Sequence, residues 1–529
     1  MIFLFDFTRL QIHSKFRKPT GGIDRVDAQY LYYLLATSCR VLFCRVSPKD
    51  KRYALVPGKE ALEIVKKTFS NWGIADDFNS LNVHPDNYRD LEVGFVEPLL
   101  AKHPNETFVY LNISLTRATD VSVYQLENFA CYKNFVSVFY IHDLIPIDYP
   151  EFCTITPQLF SNFIEHVVTF SDLILTNSEY TKKTIENFIK TKKLKTNCLI
   201  ETHYIGINEQ IKALSKLSPE ERISYIQEMQ YPEDPYQELR TMDIGQNGYF
   251  IYVSTIEGRK NHFLLYLLWK KLINQLGDKT PKLIFIGRKG WCNEKIVYAL
   301  NNSNGLDNKI IWLQDCKDSL MLALLCSKNC LGTLNPSFVE GYGMPAAESI
   351  FLGLVTVCST ADAYREATQN KGIFLDPLSL PQWYDAVYSI IQKGKGVGSD
   401  KHINEYRPTT WLEAYKKFES AISLVAGTEP SIKKIELIEK IEKKQNINKL
   451  RKNCCLTDNV DSATSKITPN LTAEPHEYLD VSRIPRFFNL LFNYIKVWGR
   501  SRTPSLYSII VFPVHFYRRV KLLWQQSDS

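Results

Sequence analysis

The stretch Leu331-Gly-Thr-Leu-Asn335-Pro-Ser-Phe-Val-Glu340-Gly-Tyr-Gly-Met-Pro345-Ala-Ala-Glu348-Ser-Ile-Phe-Leu352 reads as a short apolar strand, Leu331–Leu334, a glycine-bearing loop, and a helix over Pro345–Leu352. The same beat runs through residues 249–395. Strands are expected at Tyr249–Ser254, Leu283–Gly287, Ile310–Leu313, Val355–Cys358 and Ile373–Leu375, with helices such as Asn261–Asn274 and Asp318–Lys328 between them. Near-continuous apolar strands alternating with helices predict a parallel sheet covered on both faces, that is, a doubly wound α/β domain.

Upstream the pattern recurs less regularly. Strands are expected at Ile2–Phe7, Val41–Val46, Thr107–Asn112, Phe135–Ile141 and Leu173–Thr176, and helices around Asp24–Ala36 and Gln158–Phe170. The expected layout is a first Rossmann-like domain over 1–245, a second over 246–408, a helix over 409–425 returning to the first, and a helical, flexible and basic extension over 426–529. Residues 207–247 are rich in charge and are expected to connect the domains. Two such domains face a cleft between the carboxyl ends of their sheets, where open α/β folds bind ligands.

A chain of 529 residues exceeds what one core supports, and 45% hydrophobic with 23% charged residues is globular usage that excludes wholesale disorder. The net charge of +7 is too small and too spread out to argue for nucleic acid. Met1-Ile-Phe-Leu-Phe-Asp6 reads as a first strand rather than a signal peptide, and the twelve cysteines form no CxxC pair, which together suggest a cytoplasmic, reducing location. No run of about 18 uninterrupted apolar residues suggests a membrane span. Ile432–Lys452 is expected to be a charged helix and Asn453–Glu477 a flexible polar segment. From Val481 onward eight Lys or Arg stand against one Asp and interleave with aromatics, which suits either a membrane surface or a docking segment on protein.

Four loop-to-helix sites carry chemistry. Gly341 and Gly343 allow close backbone approach, Pro345 suits a first helical position, and the amides opening that helix attract a diphosphate. Glu348 is expected in the first helical turn, where an acid also complements the helix dipole without binding anything. Ser254-Thr-Ile-Glu-Gly-Arg259-Lys260-Asn261-His262 follows a strand, and its two adjacent cations suit a leaving diphosphate, although loop cations are commonly only solvated. Thr20-Gly-Gly22-Ile-Asp-Arg25 offers Gly22 and Arg25 toward phosphate or acceptor, a surface salt bridge being the plain alternative for Arg25. Phe139-Tyr-Ile-His142-Asp143 ends a strand with a polar pair in which Asp143 is expected to orient the His142 imidazole. Asn177-Ser178 reads as a helix cap with no chemistry.

Glu340 and Glu348, with seven residues between them that include Gly341, Tyr342, Gly343, Met344 and Pro345, resemble the signature of retaining glycosyltransferases with the GT-B fold, the family-4 group. Asp6-Phe-Thr-Arg9 with the Gly22 loop is similar to the opening of bacterial surface-polysaccharide members. The resemblance implies hexose-like transfer, with retention, from a nucleoside diphosphate sugar to a polysaccharide or lipid-linked saccharide. It implies that Glu340 contacts donor sugar hydroxyls, that Glu348 holds the nucleotide ribose, and that Arg259 and Lys260 grip the phosphates. No Asp-x-Asp triplet occurs, so no metal and no cofactor beyond the donor substrate is expected. A GT-B epimerase or phosphorylase, or a non-catalytic scaffold, are the rival readings.

Overall fold

A computed structural model describes residues 1–16, 21–37, 40–47, 52–72, 74, 94–115, 126–129, 132–228, 247–394 and 405–427, all within one unit, Met1–Leu456. The expected extension from residue 428 onward, including Ile432–Lys452, 453–477 and the basic aromatic segment 481–529, lies outside the described residues. Among the described residues no helix is long and apolar enough to cross a membrane.

The first sheet contains β1 (Ile2–Asp6), β2 (Arg40–Ser47), β3 (Arg52–Val56), β4 (Phe108–Asn112), β5 (Phe135–Ile141), β6 (Leu173–Thr176) and β7 (Leu199–Thr202), in the order β3-β2-β1-β4-β5-β6-β7. The second contains β8 (Tyr249–Val253), β9 (Lys282–Ile286), β10 (Ile310–Leu313), β11 (Cys330–Asn335), β12 (Thr356–Ser359) and β13 (Ile373–Leu375), in the order β10-β9-β8-β11-β12-β13, with every pairing parallel. Every residue of β1, β4 and β9 is buried, which is why these strands read as apolar runs with a single polar residue at one end, Asp6, Asn112 and Lys282. Two edge strands escaped the sequence pattern: β3, antiparallel to β2, and β7, four residues of which only Thr202 is buried.

Strand order reverses between β8 and β11, so the loops after these strands open the same crevice. These are the Arg259 and Glu340 loops. The corresponding reversal in the first sheet lies between β1 and β4.

The chain passes between domains earlier than the expected boundary at 245/246. Ile207, Ile211, Leu214 and Ile226, from helices Glu209–Leu214 and Pro219–Glu228 and the residue leading into them, pack in a core with Tyr249, Ile251 and Leu324 of the second domain. Charged outer faces made these helices look like connection. The return crossing at Tyr406–Thr410 runs beside the outward one, with the Ile207 amide donating to the Thr409 carbonyl at 2.8 Å. Gly206 permits this closeness, since a Cβ there would stand 2.5 Å from the Trp411 ring and 2.7 Å from its Cα.

Helix Trp411–Val425 then returns to the first domain as expected. Its start is locked by a reciprocal cap, Glu413 amide to Thr410 hydroxyl at 3.2 Å and Thr410 amide to Glu413 carboxylate at 2.8 Å. Its Trp411, Tyr415, Phe418 and Ile422 join the first core, with Phe418 5.1 Å from Tyr30 and Tyr415 5.2 Å from Tyr33 between ring centroids.

Candidate active site

Glu340 is the hub of the crevice. Its Oε1 accepts from Lys260 Nζ at 2.5 Å, Ser337 Oγ at 2.6 Å and the Tyr364 hydroxyl at 3.2 Å, and its Oε2 accepts from Arg259 at 3.2 Å. Arg259 also donates to the Val339 carbonyl at 3.2 Å and stands 3.0 Å from the Glu257 carboxylate. These cations reach Glu340 because a tight turn, Gly258–Lys260, separates β8 from helix His262–Leu276. Asn261 ends the turn at φ 55° and ties both loops together by donating to the carbonyls of Pro336 (3.2 Å) and Pro377 (2.9 Å).

Burial alone would raise the Glu340 carboxyl, but Lys260 and Arg259 outweigh it and hold the group at about 2. Burial likewise opposes charge on Arg259, yet Glu340, Glu257 and Asp143 raise its pKa above the ordinary arginine value. Lys260 goes the other way: burial and then its neighbour Arg259 lower its pKa. The cluster is a charge-balanced, water-poor set of groups at the switch point, suited to receive a charged ligand by exchange of partners.

The loop is seated against the first domain. A Cβ on Gly341 would stand 2.3 Å from the His142 carbonyl oxygen, so only glycine permits this approach. Ser178 Oγ donates to the Gly341 carbonyl at 2.6 Å, and Thr181 Oγ1 donates to the His142 carbonyl at 3.2 Å. Ser178 is the expected helix cap, accepting from the Thr181 amide at 3.0 Å, but this second bond across the cleft was not anticipated. The Glu366 carboxylate adds another unanticipated bridge, accepting from the amides of Glu179 (2.6 Å) and Tyr180 (3.2 Å).

His142 is buried, and its Nε2 lies 2.7 Å from the Ile113 carbonyl, which assigns the proton to Nε2 and leaves Nδ1 as an acceptor. Burial pushes this imidazole down to about 4, with Arg9 adding to the shift, so it is neutral at physiological pH. Asp143 does not make the expected orienting bond to the ring. Its carboxylate accepts from the Ile145 amide at 3.1 Å, and the strand-end carbonyl of Ile113 holds the imidazole instead.

The helix after the loop is Met344–Phe351, which corrects two expectations. Pro345 occupies its second position rather than its first, and Glu348 lies in the second turn, beyond where an acid complements the dipole. Gly343 precedes the helix at φ 103°, and Gly22 lies so close to Met344 that an added Cβ would stand 2.2 Å from the methionine methyl. Arg25 donates to the Asp318 carboxylate at 3.0 Å, an ion pair between domains, and its charge reaches Glu348. Tyr342 buries its ring in the first core, tilted on Tyr204 with centroids 6.3 Å apart, so the side chain packs where ligand contact was expected.

Burial raises Glu348 to about 7, partly offset by Arg25 and reinforced by Asp318. Its unfolded form releases the proton near 4.5 and the folded form near 7, so in this window the folded state binds more protons and rising pH disfavours folding. Glu348→Gln is therefore expected to flatten the fall in Tm between about pH 4.5 and 7. Thermal unfolding across that range checks it, and an unchanged slope would remove the buried-carboxyl assignment.

Sequence reading also passed over Asp24 and Asp27, buried on helix Gly22–Ala36 beside Arg9. Arg9 Nε pairs with Asp24 at 2.5 Å, while burial pushes the Asp27 carboxyl well above the usual range. Acids three apart in the first two turns of a helix that continues as Tyr30-Leu-Tyr-Tyr-Leu-Leu-Ala36 are the signal that points to them.

Residues 243–409 match the family model described as Glycosyl transferases group 1. The chain is 26% identical over 187 residues to the O-antigen chain mannosyltransferase B of Escherichia coli, covering 34% of this chain and 48% of that protein. It is 22% identical over 235 residues to the Escherichia coli serotype-specific mannosyltransferase WbdA, covering 44% of this chain and 27% of that protein. The chain thus spans about half of the first relative's length and about a quarter of the second's. The crystal structure of Anabaena Alr3699/HepE in complex with UDP and glucose superposes with a TM-score of 0.50 at 15% identity, over 80% of this chain and 99% of that one, a likeness of fold. The matched segment spans the second sheet with the Arg259 and Glu340 loops, so this part of the chain is similar to the glycosyl transferases group 1, and the chain has the GT-B fold.

Proposed function

We propose that the protein transfers a hexose-like sugar, with mannose the first candidate, from a nucleoside diphosphate sugar to a saccharide or lipid-linked saccharide of surface-polysaccharide assembly, with retention at the anomeric carbon. The observation that carries this reading is the Glu340 carboxylate held between Lys260 and Arg259 at the sheet's switch point, against the His142 strand end. The mannosyl choice rests on the names of the two Escherichia coli relatives.

In this reading the donor diphosphate takes Arg259 and Lys260 as its partners, and Glu340, released from them, accepts from sugar hydroxyls. Amides at the start of helix Met344–Phe351 add positive potential, and Glu348 meets the ribose hydroxyls. Gly22 and Arg25 close over the donor from the first domain. The bond from the anomeric carbon to the diphosphate oxygen breaks with its electron pair leaving on oxygen, and the acceptor oxygen attacks the same face. Its proton passes to the departing diphosphate. His142, neutral with Nδ1 free to accept, orients that hydroxyl. Preorganised charge does most of the work, and no bound metal is invoked.

Nucleotide release across a panel of UDP- and GDP-sugars tests the proposal. Release from one donor that Lys260→Ala abolishes in a folded protein supports it. Absence of release from every donor, with no thermal shift by UDP or GDP, would leave a scaffold instead. The basic aromatic segment 481–529 is proposed to hold the protein at a membrane surface, and unchanged fractionation after its deletion would reject that part.

A further inference from the structure

Beside the two inter-domain crossings lies a half-open cavity of about 550 Å³, lined among others by Tyr204, Lys212, Lys216, Phe351, Arg407 and Lys417. Such a volume takes a small phosphorylated molecule or a diphosphate headgroup. Four cations line it against one carboxylate, Glu413, which already caps Thr410. Lys212 stands 3.3 Å from Glu209, Lys417 donates to the Thr202 carbonyl at 2.6 Å, and Lys216 is exposed at the rim.

These cations come from both domains. Lys212 and Lys216 sit on and just after helix Glu209–Leu214, which packs in the second core, whereas Lys417 is on helix Trp411–Val425, which packs in the first. Arg407 lies on the return crossing between them. Glu340, Arg259 and Lys260 do not line this cavity, and its nearest approach to the proposed donor site is Phe351, one helical turn beyond Glu348.

We infer that this hinge cavity is a second binding site, for a phosphate or diphosphate group, and that its occupant bridges the two domains. Lysine and arginine on converging elements with one occupied carboxylate favour a compact polyanion over a neutral saccharide. A group held by Lys216 and Lys417 together spans both domains, so binding biases their relative orientation and with it the donor cleft.

The inference is tested on the full chain with inorganic pyrophosphate as the probe, by calorimetric titration. Because the proposed donor site also attracts diphosphate, the parent is Lys260→Ala. The parent is expected to retain one pyrophosphate site, weakened about tenfold or more by Lys216→Glu and by Arg407→Gln, each the loss of a charge-assisted bond. Both side chains are exposed, so neither change threatens the fold. If phosphatidylglycerol vesicles compete with pyrophosphate and Lys216→Glu abolishes both, the phosphate belongs to a lipid headgroup. If vesicles leave the titration unchanged, it belongs to a soluble molecule. No binding to the parent, or binding indifferent to both rim changes, overturns the inference. Donor turnover, measured separately on the native chain, tells that failure apart from failure of the transferase reading.

Discussion

Replacing Glu340 with alanine is expected to cost about 3–5 kcal/mol of stability and to abolish transfer, because it strands the buried Lys260 without its carboxylate and leaves Arg259 with Glu257 alone. Lys260 and Arg259 stand 2.5 and 3.2 Å from that carboxylate with side chains only 12% and 16% exposed, so water does not replace it. Adding Lys260→Met to Glu340→Ala is expected to recover part of the lost stability, since one stranded charge is removed, while transfer stays absent. Chemical denaturation of the single and double variants measures this non-additivity. A Glu340→Ala protein as stable as the native one would show that the ion cluster is not what holds the crevice together.

The second large effect is expected at Gly341. An alanine methyl there meets the His142 carbonyl at 2.3 Å, and because that oxygen is backbone at the end of β5, the conflict is relieved only by moving the loop or the domains apart. The expected cost is about 1–3 kcal/mol, the usual range for overpacking. It comes with a loss of donor turnover larger than the loss of stability, because the Ser178 bond to Gly341 is broken as well. Gly22→Ala is the control. Its Cβ meets only the terminal methyl of Met344, which swings aside, so the stability change is expected below about 1 kcal/mol. Comparable effects from the two substitutions would mean that domain seating does not depend on the His142 contact.

The strands of both cores were legible because parallel strands buried on both faces leave near-continuous apolar runs, as in β1, β4 and β9. β3 and β7 were not, since edge strands mix buried and open positions. The domain crossing at Ile205–Ile207 was hidden because helices Glu209–Leu214 and Pro219–Glu228 carry dense charge on their outer faces, and only the packing of Ile211, Leu214 and Ile226 reveals which core they serve. The helix starts at Met344 rather than Pro345, which places Glu348 in the second turn, a one-residue difference that no local pattern encodes.

By itself the sequence determined the alternation that makes two doubly wound sheets, and the residue types that gather at the loop ends: Glu340, Arg259 and Lys260, and the glycines that let backbone approach backbone. Local spacing suffices there, because strand period, helix period and loop chemistry act over a few residues. What only the tertiary structure decided is who meets whom across the cleft. Glu340 pairs with cations 80 residues away, Arg25 is bound to Asp318, Tyr342 packs into the first core, and Ile113 rather than Asp143 holds His142. Such pairings follow from sheet order and from the side-by-side crossings at Ile207 and Thr409, and no local pattern encodes distances between segments that the chain brings together only when both cores have formed.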